Sequence, residues 1–171
     1  MRIILSSLLT VFLSLSALGS AQVAKPRFVL TISAEAPAAK TGPASYSVKA
    51  GSEVFITVHL TNTSQRNLAL GYDADSRTGV VFGHQYEIHD NSGNAARKQT
   101  INHPELGSTG HGWPARILKP GESMDINGDQ IGRLYDLSRP GQYTIQLSRP
   151  VSDNSKDGFV KSNAITLTVT P

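Results

Sequence analysis

Apolar residues recur at every second position through most of this chain, and that period limits what it can fold into. Val54, Ile56, Val58 and Leu60 alternate with Phe55, Thr57, His59 and Thr61. Ile165, Leu167 and Val169 alternate with Thr166, Thr168 and Thr170, and Tyr143, Ile145 and Leu147 with Thr144, Gln146 and Ser148. Side chains two apart share one face of a β-strand, so each run predicts a strand with one apolar and one polar face. Phe28, Leu30 and Ile32 predict a first strand. Leu68, Leu70 and Tyr72 predict a short one, and Tyr86 and Ile88 a middle strand that reaches back to Val80. Turn chemistry divides the runs at Ala50-Gly51, Asn62-Thr63-Ser64, Asn91-Ser92-Gly93, Lys119-Pro120-Gly121 and Arg139-Pro140-Gly141. No segment carries a helical apolar stripe, although Leu134-Tyr135-Asp136-Leu137 suits one helical turn. The segments 35–44 and 102–115 read as irregular. About seven to nine short strands with such turns predict an all-β antiparallel sandwich or barrel.

The first 21 residues stand apart. Arg2 precedes an apolar run from Ile3 to Leu18, and Gly19-Ser20-Ala21 sets small residues where a signal peptidase cuts. A signal peptide over 1–21 and one domain over 22–171 are therefore expected, with export to the periplasm or the exterior. No later stretch is apolar enough to span a bilayer. The chain has no cysteine, which removes disulfides, thiolate metal sites and a cysteine nucleophile. Without Arg2, 15 basic residues face 13 acidic ones. The basic residues are scattered from Lys25 to Lys161 rather than clustered among aromatics, so no nucleic-acid footprint is present.

Three segments carry a family resemblance. They are Val58-His59-Leu60-Thr61-Asn62-Thr63-Ser64, Leu118-Lys119-Pro120-Gly121-Glu122-Ser123, and Leu137-Ser138-Arg139-Pro140-Gly141-Gln142-Tyr143-Thr144-Ile145. In this order they resemble bacterial immunoglobulin-like domains. The likeness extends to the Bacillus intracellular proteinase inhibitor family and to the β-sandwich accessory domains of deuterolysin-like metallopeptidases. The resemblance implies an immunoglobulin-like sandwich over residues 28–170. Independently of it, Pro140-Gly141 would turn the chain so that Tyr143 buries its ring and bonds back to the backbone. Pro120-Gly121 would make a tight reversal with Glu122 facing solvent.

Several residues are candidates for chemistry. Asp125, Asn127, Asp129 and Asp136 fall at positions 1, 3, 5 and 12 of a calcium loop, although Gln130 stands where such a loop needs glycine. The competing reading is a hairpin turn at Asn127-Gly128. Asp73 and Asp75 lack a carboxylate at the required offset. The five histidines are His59, His84, His89, His103 and His111; His103, Glu105 and His111 share one segment. No H-E-x-x-H, G-x-S-x-G, phosphate loop or dinucleotide fingerprint occurs, so no enzyme is expected and no cofactor beyond a possible calcium ion. Trp113, between Gly112 and Pro114, could anchor a protein or glycan partner together with His111 and Arg116, or could cap one end of the core. Asn62-Thr63-Ser64 is also a glycosylation sequon, with a strand-end turn as the plainer reading. The leading expectation is a secreted, non-catalytic binding module. A secreted protease inhibitor, and a metal-dependent enzyme or calcium-stabilised domain, are the alternatives.

Overall fold

A computed structural model describes residues 26–35, 37–70, 83–100, 116–151 and 158–171. Among these the chain is all-β. One antiparallel sheet holds β1 (Phe28–Ala34), β4 (Phe55–Asn62) and β8 (Ser123–Gln130), in the order β1-β4-β8. A second sheet holds β2 (Ala39–Gly42), β3 (Ser45–Lys49), β6 (Gln85–Asp90), β9 (Gly141–Pro150) and β10 (Phe159–Thr170). Its order is β2-β3-β10-β9-β6, with β3 parallel to β10 and the other pairs antiparallel. β5 (Leu68–Leu70) and β7 (Arg116–Leu118) form a two-stranded ribbon, and α1 (Ile131–Leu134) is a single helical turn after β8.

The alternation read from the sequence becomes the packing. Ile56, Val58 and Leu60 are buried while His59 faces solvent. Leu30 and Ile32 from the first sheet, and Ile145, Leu147, Ile165 and Leu167 from the second, belong to one apolar cluster. Each such side chain removed from water contributes about 1.5–3 kcal/mol. Tyr143 is buried, and its hydroxyl donates to the Arg139 carbonyl at 3.0 Å, which closes the expected corner at the start of β9.

The turn before β8 follows its residues as well. Gly121 has φ 79°, and the Glu122 N–H donates to the Lys119 carbonyl at 3.0 Å. Pro at the second position and a positive φ at the third define a type II turn. Glu122 is exposed, as expected, but it is not idle: its Oε2 accepts the Lys119 N–H at 2.8 Å and closes the turn from the other side.

Other expectations need correction. The segment 35–44 was expected to be irregular, yet it contains β2, which pairs with β3 through an irregular register between Lys40 and Gly42. The helical turn expected at Leu134–Leu137 lies earlier, at Ile131–Leu134. Asn127-Gly128 makes no hairpin, because β8 runs through it from Ser123 to Gln130. Leu68 and Leu70 lie in β5, while Tyr72 and Val80 fall outside the described residues.

Candidate functional site

The chemistry of the described residues concentrates in one buried network, and a bulge in β8 creates it. Val58 of β4 pairs with Ile126, but Ile56, two residues earlier, pairs with Asp129. Three steps on β8 therefore oppose two on β4. An extra residue reverses the inside–outside order beyond it. Asp125 before the bulge is exposed, whereas Asp129 after it is fully buried.

Inside, the Asp129 carboxylate meets groups from the second sheet. Its Oδ2 accepts the Tyr86 hydroxyl at 2.5 Å and lies 2.5 Å from His84 Nδ1. The other ring nitrogen, His84 Nε2, lies 3.0 Å from Arg149 Nη1. A guanidinium has donors and no acceptor, so Nε2 must supply a lone pair there and the ring proton sits on Nδ1, donated to Asp129. The result is a chain of guanidinium, imidazole and carboxylate across the core. The Tyr135 hydroxyl extends it by donating to the Tyr86 carbonyl at 2.6 Å. Burial, and then the Asp129 carboxylate, hold the Tyr86 phenol well above the usual tyrosine range. Burial, followed by Glu87, also raises Tyr135.

A histidine oriented by a carboxylate is the pairing that general-base catalysis uses. Here the arrangement is closed. The side chains of His84 and Asp129 are both 0% exposed, and the nitrogen that would take a proton from a nucleophile already accepts from Arg149. The network ties β8 of one sheet to β6 and β9 of the other.

The tyrosines give a direct check. A group whose pKa is higher in the folded than in the unfolded chain contributes stability in full below the unfolded value, about pH 10 for tyrosine. That contribution is lost as pH rises beyond it toward the folded value. Tyr86 and Tyr135 are therefore expected to stay protonated above about pH 10 and to ionise together with alkaline unfolding. Tyrosinate absorbance and circular dichroism recorded along one alkaline titration check this. Complete, reversible ionisation near pH 10 in a folded chain would contradict it.

The candidate calcium ligands do not come together. Asp125 is exposed and pairs across the strands with His59, Nδ1 to Oδ1 at 2.5 Å. Asp129 points into the core. Asp136 is exposed and accepts the Ser138 N–H at 3.1 Å and its hydroxyl at 2.6 Å, and these bonds hold its carboxyl below the usual range. Asn127 lies within β8. The spacing of a ligand loop is thus carried by a strand, whose pleat and bulge send Asp125 and Asp129 to opposite faces. Among the described residues no three histidine, aspartate or glutamate side chains converge on a point that could hold a metal ion.

Of the candidate recognition residues, Arg116 is exposed at the start of β7 and pairs in register with Leu70. Trp113 and His111 lie outside the described residues, as do Asp73, Asp75, His103 and Glu105. The sequon asparagine is a structural residue. Asn62 is 0% exposed; its Nδ2 donates to the carbonyls of Arg66 and Leu118, both at 2.9 Å. Its Oδ1 accepts the Ser64 N–H at 3.0 Å and the Ser64 hydroxyl at 2.8 Å. The amide is fully engaged in the strand-end turn.

Sequence reasoning passed over His84, Asp129 and Arg149 as a group. Two of them carried a signal. Extending the inward series Leu147, Ile145 and Tyr143 by one step reaches Arg149, and extending Ile88 and Tyr86 backward reaches His84. No protein-family model matches the chain, and no curated protein is significantly similar to it.

Proposed function

We propose that the chain is an exported, non-catalytic binding module built on an immunoglobulin-like β-sandwich. The strand order supports this architecture. The first, fourth and eighth strands share one sheet and the sixth, ninth and tenth share the other, which is how an immunoglobulin domain divides A, B and E from C, F and G. The Tyr143 hydroxyl on the Arg139 carbonyl, at the entry to the F-like strand, is the matching tyrosine corner. Export rests on the apolar segment Ile3–Leu18 and the small residues that follow it.

The observation that carries the non-catalytic reading is the closed state of the His84–Asp129 pair, with both side chains fully buried and Nε2 engaged by Arg149. Such a network holds two sheets in fixed relation, as a rigid scaffold for recognition requires. Described residues bound the long connections. Leu70 and Arg116 are register partners, and a Cβ on Gly83 would lie 3.7 Å from the Pro150 ring. The connections 71–82, 101–115 and 152–157 leave from these residues or beside them. Trp113, His111 and Arg116 are the recognition residues of this proposal, and the partner is a protein or a glycan.

The test is a glycan array and a panel of envelope proteins probed with the purified chain and with Trp113→Ala and Arg116→Ala. Saturable binding that both variants lose, with no turnover of ester or peptide substrates, is the expected result. Binding indifferent to both substitutions would overturn the residue assignment. Dose-dependent inhibition of purified proteases would move the chain to the inhibitor class.

A further inference from the structure

The fold gathers basic residues that lie far apart in the sequence. Segment 97–99 runs antiparallel to segment 134–136. The Asp136 N–H donates to the Arg97 carbonyl and the Gln99 N–H to the Leu134 carbonyl, both at 2.8 Å, and Lys98 bridges to Tyr135 between them. Arg97 and Lys98 are therefore set beside Arg133, in the last turn of α1, and Arg139, just beyond Asp136. All four of these residues are exposed. The Lys98 ammonium lies 5.9 Å from the centre of the Tyr135 ring. The Asp136 carboxyl, held low chiefly by Ser138, is lowered further by Arg139 and then Arg97, so both guanidinium groups stand near it.

Cations outnumber acids here. Asp136 is one acid, and Glu53, whose Cα would lie 3.9 Å from a Cβ on Gly132, is another. Glu87 also acts on Tyr135, but both its carboxylate oxygens hold Lys161 Nζ at 3.0 Å. Among the described residues none of the four cations makes a salt bridge. Exposed, unpaired cations on one surface suit an anionic partner. The large apolar side chains exposed among the described residues are Val29, Ile117 and Phe159, and none belongs to these segments, so the surface offers a bilayer no apolar wedge. Its aromatic residue, Tyr135, is buried with Lys98 over the ring and offers no face for a base to stack on. Three of the four cations are arginines, whose planar fork grips a carboxylate with two parallel bonds.

We infer that this surface binds an acidic polysaccharide, a linear glycan with repeated carboxylate groups. Arg97, Lys98, Arg133 and Arg139 each neutralise one anionic group along it. A single exposed ion pair contributes little, but a polyanion sheds condensed counterions at each neutralised charge, and the gain accumulates. The inference rests on these four cations and not on Trp113, His111 and Arg116, so it stands or falls apart from the recognition residues proposed above.

The test is binding of the purified chain to polygalacturonate, with neutral dextran as the blank. With a salt slope of roughly 0.7 per neutralised charge, four contacts predict a Kd about 50-fold weaker at about 200 mM than at about 50 mM salt. The paired variants Arg97→Gln with Lys98→Gln, and Arg133→Gln with Arg139→Gln, are each expected to cut that slope to about half and to weaken low-salt binding about tenfold or more. Their circular-dichroism spectra should match the parent, because all four residues are exposed. Lys40→Gln with Lys49→Gln removes the same charge from exposed positions of β2 and β3 and should leave binding unchanged. Absence of binding to polygalacturonate, an equal loss in the Lys40 and Lys49 variant, or tighter binding to phosphatidylglycerol vesicles or to a single-stranded oligonucleotide would overturn the inference.

Discussion

Replacing Asp129 by alanine is expected to remove about 3–5 kcal/mol of stability, the usual cost of taking one partner from a buried charged network. The His84 Nδ1–H and the Tyr86 hydroxyl both lose their acceptor in a site closed to water. Domains of this size hold roughly 5–15 kcal/mol in total, so the loss takes about a fifth of the margin or more. The melting temperature should fall by on the order of 10 °C. Asp125→Ala, four residues away on the same strand, is the control. It breaks the exposed pair with His59, in which both side chains are about half exposed (49% and 57%), and should change stability by less than about 0.5 kcal/mol. Denaturant melts of both variants check the contrast. Equal effects would mean that Asp129 is not held as described.

The second large effect is expected at Asn62. Asn62→Ala leaves the Arg66 and Leu118 carbonyls without their shared donor and opens the turn that Ser64 closes. A loss of about 2–4 kcal/mol follows from two orphaned acceptors and a small cavity. Asn62→Asp keeps the shape but sets a carboxylate oxygen against those two carbonyls, so at neutral pH it should cost at least as much. Ser64→Ala removes one hydroxyl and should cost about 1 kcal/mol. If Asn62→Asp proves neutral in urea melts, the donor role of Nδ2 is wrong.

Those two residues also mark what a single sequence can and cannot disclose. The strand series through Ile56, Val58 and Leu60, through Tyr143 to Leu147, and through Ile165 to Val169 was legible, because pleat periodicity is local and these runs are uninterrupted. The corner at Tyr143 was legible because Pro140 and Gly141 dictate the reversal before it. Asp129 was not. Its inward aim depends on one extra residue at Asn127-Gly128, and an Asn-Gly pair suits a hairpin at least as well as a bulge. The parallel pairing of β3 with β10 joins residues such as Tyr46 and Leu167, which no local pattern links. β2 was hidden by a composition of Ala, Lys, Thr and Gly that favours no strand, and its pairing with β3 decides its state.

The fold thus follows from local alternation. The buried network follows from one irregularity in that alternation together with the inward ends of β6 and β9. His84 and Asp129 are 45 residues apart in the chain. Their pairing needs the complete strand order, so motif reading had no access to it.

The His84 ring holds the whole assignment in one place, and a long-range nitrogen–proton NMR correlation reads it directly. A proton fixed on Nδ1 and slow to exchange with water, beside an Nε2 that accepts from Arg149, is the expected spectrum. A ring that carries its proton on Nε2, or one that exchanges freely and reacts with an imidazole-modifying reagent in the native chain, would contradict the sealed network.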